Sequence, residues 1–386
     1  MAEIGQKKGY VEAADFVRAV TIVSVVVVHS TWYMANGGHW VSSGALLALM
    51  HFTRESFMVL TGFVLTYSLF GKNNRWRQVW AKRYKLVLFP YLIWSAAYIL
   101  LFKQFTGWLP FLSRYGHDLL TGGAWFHLYY LLITMQFYLI LPFFLMLMKV
   151  AKKRPWFLVI AAFVFQVALM TYDQYFQGIY PLGFINHYIG DEVWTYSGYF
   201  ILGGVAAVHW PRVRAWLAAH LSTVVWLTGA TAGIMWLQFF LETYLGHNML
   251  LADSVIQPAM VPWAMMIVVL LAAVGIRYEA ARILRPGRWQ MVKTVADLSF
   301  GVYLVHPMLL QFWTNLLARH GFYHASFLLD ALTVAVLVVA SVLAMILIGK
   351  TPFSPWLIGR AARRRLPAPR VDAPPVVSPP VRQVSQ

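Results

Sequence analysis

The chain has 386 residues, of which 60% are apolar, 16% aromatic and only 12% charged, with a mean hydropathy of +0.62. These values exclude an ordinary water-soluble domain, and the absence of cysteine excludes disulfides, thiol nucleophiles and thiolate metal sites. The formal charge of +17 follows membrane topology closely enough that nucleic acid is not needed to explain it.

Apolar runs long enough to cross a hydrocarbon core of about 30 Å lie at 14–34, 45–70, 86–105, 125–148, 156–173, 193–209, 222–242, 258–276, 296–317 and 327–349. The expectation is an all-α polytopic membrane protein with about ten transmembrane helices. The sixth run (YSGYFILGGVAAVHW) is short and glycine-rich, so counts of nine or eleven also fit. With the N-terminus inside, 26 of the 31 lysines and arginines fall in cytoplasmic segments, and both termini are therefore expected in the cytoplasm.

Three regions follow: a cytoplasmic segment over 1–13, a transmembrane domain over 14–350, and a basic then proline-rich tail over 351–386, expected to be disordered. The opening MAEIGQKKGYVEAAD is polar and no small-residue cleavage site follows the first apolar run, so the first helix is expected to remain in the protein. The arginine run at 363–365 reads as a lipid-headgroup anchor.

The first span, DFVRAVTIVSVVVVHS, holds Asp15, Arg18 and His29. Ionisable groups inside a bilayer are expensive and are read as functional by default. Eleven helical steps return His29 to within about 20° of Arg18 while raising it by about 16 Å, so the two share a face without touching. Asp15 is placed to pair with Arg18 as an i,i+3 neighbour. The second span runs back and carries His51, Arg54 and Glu55 in HFTRESFMVLTGFVL, with His51 at nearly the depth of His29. A neutral histidine oriented by a carboxylate is a suitable base for a hydroxyl, and a buried polar knot between helices is the competing reading.

The loop GKNNRWRQVWAKRYKLVLFP brings six cations, including Lys82, Arg83 and Lys85, with two tryptophans to the cytoplasmic side of the third span. It suits either the phosphates of a nucleotide donor such as acyl-CoA or anionic lipid. In AWFHLYYLLITMQFYLILP, residues Trp125, His127, Gln136 and Tyr138 line a cavity or pack helices. The outward loop DQYFQGIYPLGFINHYIGDE suits sugar rings or an interfacial aromatic belt. Late in the chain, ADLSFGVYLVHP places Ser299, Tyr303 and His306 on or near one helix, without the GxSxG turn or SxxK of a serine nucleophile. Phosphate-loop and HExxH fingerprints are absent, and no metal site is expected.

Taken in order, these segments resemble the acyltransferase-3 family of integral membrane O-acyltransferases over roughly residues 12–345. Asp15, Arg18 and His29 match its Asp-x-x-Arg opening and Arg-x10-His spacing. FMVLTGFVL is similar to its Phe-x-x-x-Ser-Gly-Phe stretch, with Thr61 at the serine; the Trp-Phe and Tyr-Leu-x-His-Pro segments follow. The resemblance implies transfer of an acyl group, usually acetyl, from cytoplasmic acyl-CoA as co-substrate to a hydroxyl of a cell-surface or lipid-linked carbohydrate. The setting implied is a bacterial inner or plasma membrane. His29 takes the essential histidine role, oriented by a carboxylate for which Glu55 is the candidate. Asp15, Arg18, Lys82, Arg83 and Lys85 would hold the donor, with His51, Arg54, Trp125, Tyr303 and His306 lining the cavity. The family's Arg-x-x-Arg falls on Lys82 and Lys85, which replaces two bidentate forks by point charges. A transporter or flippase of a sugar-lipid or acyl compound, using the same charged groups without chemistry, is the alternative, and a scaffold for glycan assembly is a third.

Overall fold

The computed structural model describes residues 9–34, 40–176, 190, 192–281, 284–322 and 326–359. No strand occurs among them. The helices in chain order are α1 (Ala13–Met34), α2 (Val41–Met50), α3 (Thr53–Leu69), α4 (Trp76–Phe102), α5 (Trp108–Thr121), α6 (Tyr129–Lys153) and α7 (Pro155–Tyr175). A 3-10 turn at Val193–Tyr196 then leads into α8 (Ser197–Val208), followed by α9 (Trp210–Ala219), α10 (Leu221–Tyr244) and α11 (Met249–Ala252). The last four are α12 (Met260–Ala280), α13 (Pro286–Arg319), α14 (Phe327–Ile348) and α15 (Ser354–Ile358).

Eight of these, α1, α4, α6, α7, α10, α12, α13 and α14, are long and apolar enough to cross a membrane. The remaining two expected spans are helical but shorter. The run at 45–70 divides at His51 and Phe52 into α2 and α3, and the run at 193–209 becomes the 3-10 turn and α8. The 17 residues of α3 still reach about 26 Å. The division is held by the His51 ring, whose Nδ1 donates to the Asp253 carbonyl at 2.9 Å.

Side-chain contacts define two ends of the bundle. At one, Asp15 of α1 meets Lys293 of α13, Arg214 of α9 meets Glu279 of α12, and His209 donates to the Ala151 carbonyl at the end of α6. At the other, Ser30 and Thr31 of α1 donate to Asp330 of α14, and Tyr175 of α7 donates to Glu242 of α10. The span α1 lies at the centre: 67% of its most apolar stretch is buried, against 22% for α7, α10 and α14. It packs on α13, α12, α14 and α3, and polar side chains on it therefore face protein.

The two shorter helices, α3 and α8, pack unusually closely on each other. A Cβ on Gly203 of α8 would stand 2.0 Å from the Val59 carbonyl oxygen of α3, and one on Gly62 would stand 2.2 Å from the Phe200 carbonyl. With no hydrophobic drive between helices in lipid, such backbone approach supplies the association, and only glycine permits it. The glycines of the sixth apolar run are thus the reason that α8 can pair with α3.

Outside the spans, α5 is anchored through Asp118, which is buried and accepts from Lys103 Nζ at 2.7 Å and Arg114 Nε at 2.9 Å. Burial works against its charge, but the hydrogen bonds from Lys103, Arg114 and His117 outweigh it and hold the carboxyl below the usual carboxylate range. The tail does not begin at 351. Residues 354–358 form α15, Ile358 is buried, and the Leu357 carbonyl accepts from the Trp94 indole of α4 at 2.9 Å. The turn back onto α4 ends at Gly359, whose φ of +63° and approach to the Leu86 carbonyl exclude a side chain. The apolar sequence SPWLI carries this packing. The arginine run at 363–365 and most of the aromatic outward loop lie outside the described residues.

Gly203→Ala should destabilise the detergent-solubilised protein by about 1–3 kcal/mol or more, because a carbonyl cannot swing away as a side chain can; Gly229→Ala, with open space around it, should leave the melting temperature unchanged in the same fluorescence-detected size-exclusion assay. Asp118 has a lowered folded-state pKa, so its contribution to stability is present above the usual carboxylate range and is lost as pH falls through that lower value. Asp118→Asn should therefore loosen α5 at neutral pH, read as faster amide exchange over 108–121, and the difference from wild type should vanish in strong acid.

Candidate active site

His29 sits on the last turns of α1, between Val28 and the Ser30–Thr31 pair that binds Asp330. Its ring is half-buried, with Phe126 edge-on at 4.8 Å. Its Nδ1 lies 2.7 Å from Nε2 of His306 on α13, and the two rings are parallel to within 3°. His306 is fully buried, and its own Nδ1 lies 2.9 Å from the Val302 carbonyl one turn earlier.

These two distances determine where the protons sit. A carbonyl can only accept, so His306 Nδ1 carries hydrogen and, in the neutral ring, Nε2 is an acceptor. His29 Nδ1 must then donate to it. That leaves the lone pair of His29 on Nε2, which makes no hydrogen bond among the described residues. A backbone carbonyl thus sets the tautomer of His29 through an intervening ring, the arrangement by which a general base is usually oriented. His306 is thus the hydrogen-bond partner of His29, and among the described residues no hydrogen bond joins His29 to Glu55.

The position of His306 has its own cause. Pro307 follows it inside α13 and removes one helical donor. Tyr98 of α4 fills the disturbed ladder: its hydroxyl donates to the Leu304 carbonyl at 2.8 Å and accepts from the Met308 N–H at 3.1 Å, two groups that would pair with each other in an unbroken helix. On the other side of the same turn, the Tyr303 hydroxyl donates to the His127 carbonyl. His127 precedes α6, is 3% exposed, and has both ring nitrogens without a hydrogen-bond partner. Its ring centroid lies 5.9 Å from that of His306 and 5.1 Å from that of Tyr303. Trp125 stacks on Tyr98 with centroids 5.2 Å apart, and its indole N–H is also buried and unpartnered.

The second group of expected residues is near but separate. No hydrogen bond or ion pair joins His51, Arg54 or Glu55 to His29 among the described residues. His51 itself is tied to the Asp253 carbonyl, which leaves Arg54 and Glu55 on the first turn of α3 as the polar pair facing inward.

At the opposite end of α1, Asp15 is 1% exposed and is a junction. It accepts from Arg18 Nη1 at 3.1 Å and from the Tyr10 hydroxyl at 2.7 Å, and Lys293 Nζ stands 3.5 Å away. Arg18 is only partly covered, with 28% of its side chain exposed. Lys82 and Lys85 are exposed on α4 and Arg83 is half-buried; Lys85 lies over the Trp356 ring at 5.7 Å. Among the described residues no hydrogen bond or ion pair joins these three to Arg18. The cation that the fold adds to the Asp15–Arg18 junction is Lys293.

The arrangement is a polar axis along one buried helix, with a cation junction at one end and a hydrogen-bonded imidazole pair towards the other. A family model described as an acyltransferase domain matches residues 11–350, and the chain belongs to this family, acyltransferase-3. It is a multi-pass membrane acyltransferase. No curated protein and no solved structure was found to match it.

Sequence reading reached His29, Arg18 and Asp15 through helical spacing, and it reached His306 only as part of a motif. It missed Lys293, which was counted merely as part of the cytoplasmic charge excess, and Tyr98, for which the sequence carries no signal. From sequence, His127 is read as lining a cavity or packing helices. Because Tyr98 bridges two buried backbone groups, Tyr98→Phe should cost about 1–3 kcal/mol of stability and lower acyl transfer further than the change in melting accounts for. A variant with wild-type melting and wild-type turnover would show that the bridge does not position His306.

Proposed function

We propose that this protein is an O-acyltransferase that moves an acyl group, in the simplest case acetyl, from cytoplasmic acyl-CoA to a hydroxyl of a cell-surface or lipid-linked carbohydrate. It acts in a bacterial inner or plasma membrane with both termini inside. The observation that carries this reading is the free Nε2 of His29, presented by a tautomer chain that ends on a backbone carbonyl.

The reaction balances on that nitrogen. His29 Nε2 takes the proton of the acceptor hydroxyl as its oxygen attacks the thioester carbonyl carbon. The tetrahedral oxyanion collapses, the C–O bond is retained and the C–S bond breaks. The departing CoA thiolate then takes the proton back from His29, leaving an ester and a free thiol. His306 holds the imidazolium formed in between, since His29 Nδ1–H continues to donate to it. His127, buried with its N–H unmet, supplies a donor for the oxyanion at little reorganisation cost.

Donor phosphates bind at the other end of α1. Arg18 has one nitrogen on Asp15 and the rest of its fork open, and Lys293 adds a second cation within the same junction. The exposed Lys82 and Lys85, with Arg83, lie on the same cytoplasmic face and attract the nucleotide as a field. The rise of about 16 Å from Arg18 to His29 is then covered by the flexible pantetheine arm. Carbohydrate as acceptor is supported by the aromatic and polar groups around the outer half of the site, and by the family resemblance.

Purified protein in nanodiscs, given acetyl-CoA and alkali-deacylated surface glycan from the cells that make it, should release free thiol and esterify the glycan. His29→Ala should lower both by about 100-fold or more, the usual contribution of a general base. His306→Ala should lose much of the rate, whereas His306→Gln, whose amide oxygen can accept from His29 Nδ1–H, should retain part of it. Arg18→Ala should raise KM for acetyl-CoA. Undiminished transfer by His29→Ala would refute the assignment.

A further inference from the structure

The first turn of α3 holds an ion pair between a buried Glu55 and a mostly covered Arg54 that the scheme above does not use. Arg54 donates through Nη1 to the Tyr129 hydroxyl at 2.6 Å, and its guanidinium carbon lies 5.9 Å from the Tyr129 ring centroid and 5.6 Å from that of Tyr196. These contacts fix the plane of the guanidinium. Its remaining edge, Nε and Nη2, is closed to solvent and has no hydrogen-bond partner. Glu55, 2% exposed, brings Oε1 to 3.8 Å from Nη2, too far for a hydrogen bond, and its Oε2 is also closed off and unpartnered.

Buried charges left in this state are costly, and a rigid edge with unmet donors beside a carboxylate with an unmet acceptor indicates a polar ligand. The Nε–Nη2 edge is the fork that commonly binds carboxylate or phosphate. Here an anion is disfavoured, because Glu55 already balances the charge and would repel a second negative group. Two adjacent hydroxyls answer both needs: their oxygens accept from the fork and one of their hydrogens goes to Glu55. The flanking tyrosine rings suit the apolar face of a sugar. Tyr129, the partner of Arg54, stands two residues after His127, whose ring centroid lies 5.9 Å from that of His306.

We propose that Arg54 and Glu55 form the acceptor subsite, which takes two vicinal hydroxyls of a neutral sugar ring and so presents another hydroxyl of the same acceptor to His29. This rests on the acyltransferase reading given above. It assigns Glu55 to binding rather than to orienting the base.

The test uses full-length protein in nanodiscs, acetyl-CoA, and the alkali-deacylated surface glycan, with thiol release measured at varied glycan and also without it. Arg54→Lys, which keeps the charge but loses the fork, and the isosteric Glu55→Gln should each raise KM for glycan about tenfold or more, the equivalent of one lost charge-assisted hydrogen bond. Glycan-free thioester hydrolysis, in which water replaces the acceptor and the subsite is not engaged, should stay within about twofold of wild type, and this also reports that the variants are folded. An unchanged KM for glycan in both variants overturns the proposal. So does a KM that falls in Glu55→Gln, which would mark an anionic acceptor, or a glycan-free rate that falls in parallel with transfer. If wild-type protein neither hydrolyses the thioester nor acylates glycan, the acyltransfer scheme itself has failed, a result distinct from all of these.

Discussion

The short contact between His29 and His306 is the constraint on which the chemistry depends. It joins α1 to α13 by a hydrogen bond between two rings of which one is wholly enclosed, and the Val302 carbonyl behind it leaves no choice of direction. A lone histidine in a membrane could adopt either tautomer and turn either nitrogen to a substrate. Once His306 is pinned to the backbone, His29 has only one available base. The enclosure that makes the pair strong also resists protonating both rings together, so in the scheme proposed above the pair carries one proton at a time.

Much of the remaining architecture can be understood as support for that contact. Pro307 removes a helical donor beside His306, and Tyr98 pairs with the Leu304 carbonyl and the Met308 N–H on the same stretch of α13. Asp330 holds the end of α1 through Ser30 and Thr31, immediately after His29. The backbone-close pairing of α3 with α8 then brings the Arg54–Glu55 turn beside the relay. The centrally placed α1 links these features to the Asp15 junction at its other end. One helix thereby sets the spacing between a site suited to phosphate and a site suited to proton transfer.

The fold was legible in the sequence wherever length and hydropathy alone decide, which is why all ten apolar runs recur as helices. It was less legible at their edges. The break at His51 depends on a carbonyl 202 residues away, and α15 depends on a groove along α4. In the candidate site, the alignment of Arg18 with His29 could be read from helical periodicity because both lie on one element. The His29–His306 contact could not, since its partners are 277 residues apart and nothing local encodes which two polar residues in different spans will meet. For the same reason helical spacing points to Glu55, four residues from His51, as a partner, whereas the imidazole that meets His29 comes from a distant helix. Lys293 shows the converse: a residue whose charge served one explanation, topology, also joins the Asp15 junction.

The central claim is a statement about two protons, and nitrogen-15 solid-state NMR of histidine-labelled protein in lipid bilayers reads them directly, with His29 and His306 assigned by the signals lost in His29→Gln and His306→Gln. At neutral pH both rings should be neutral with hydrogen on Nδ1 and a bare Nε2, and the His29 Nδ1–H should show the shift of a donor to another imidazole. A His29 ring protonated at Nε2, or a Nδ1–H with no trace of a partner, would contradict the account.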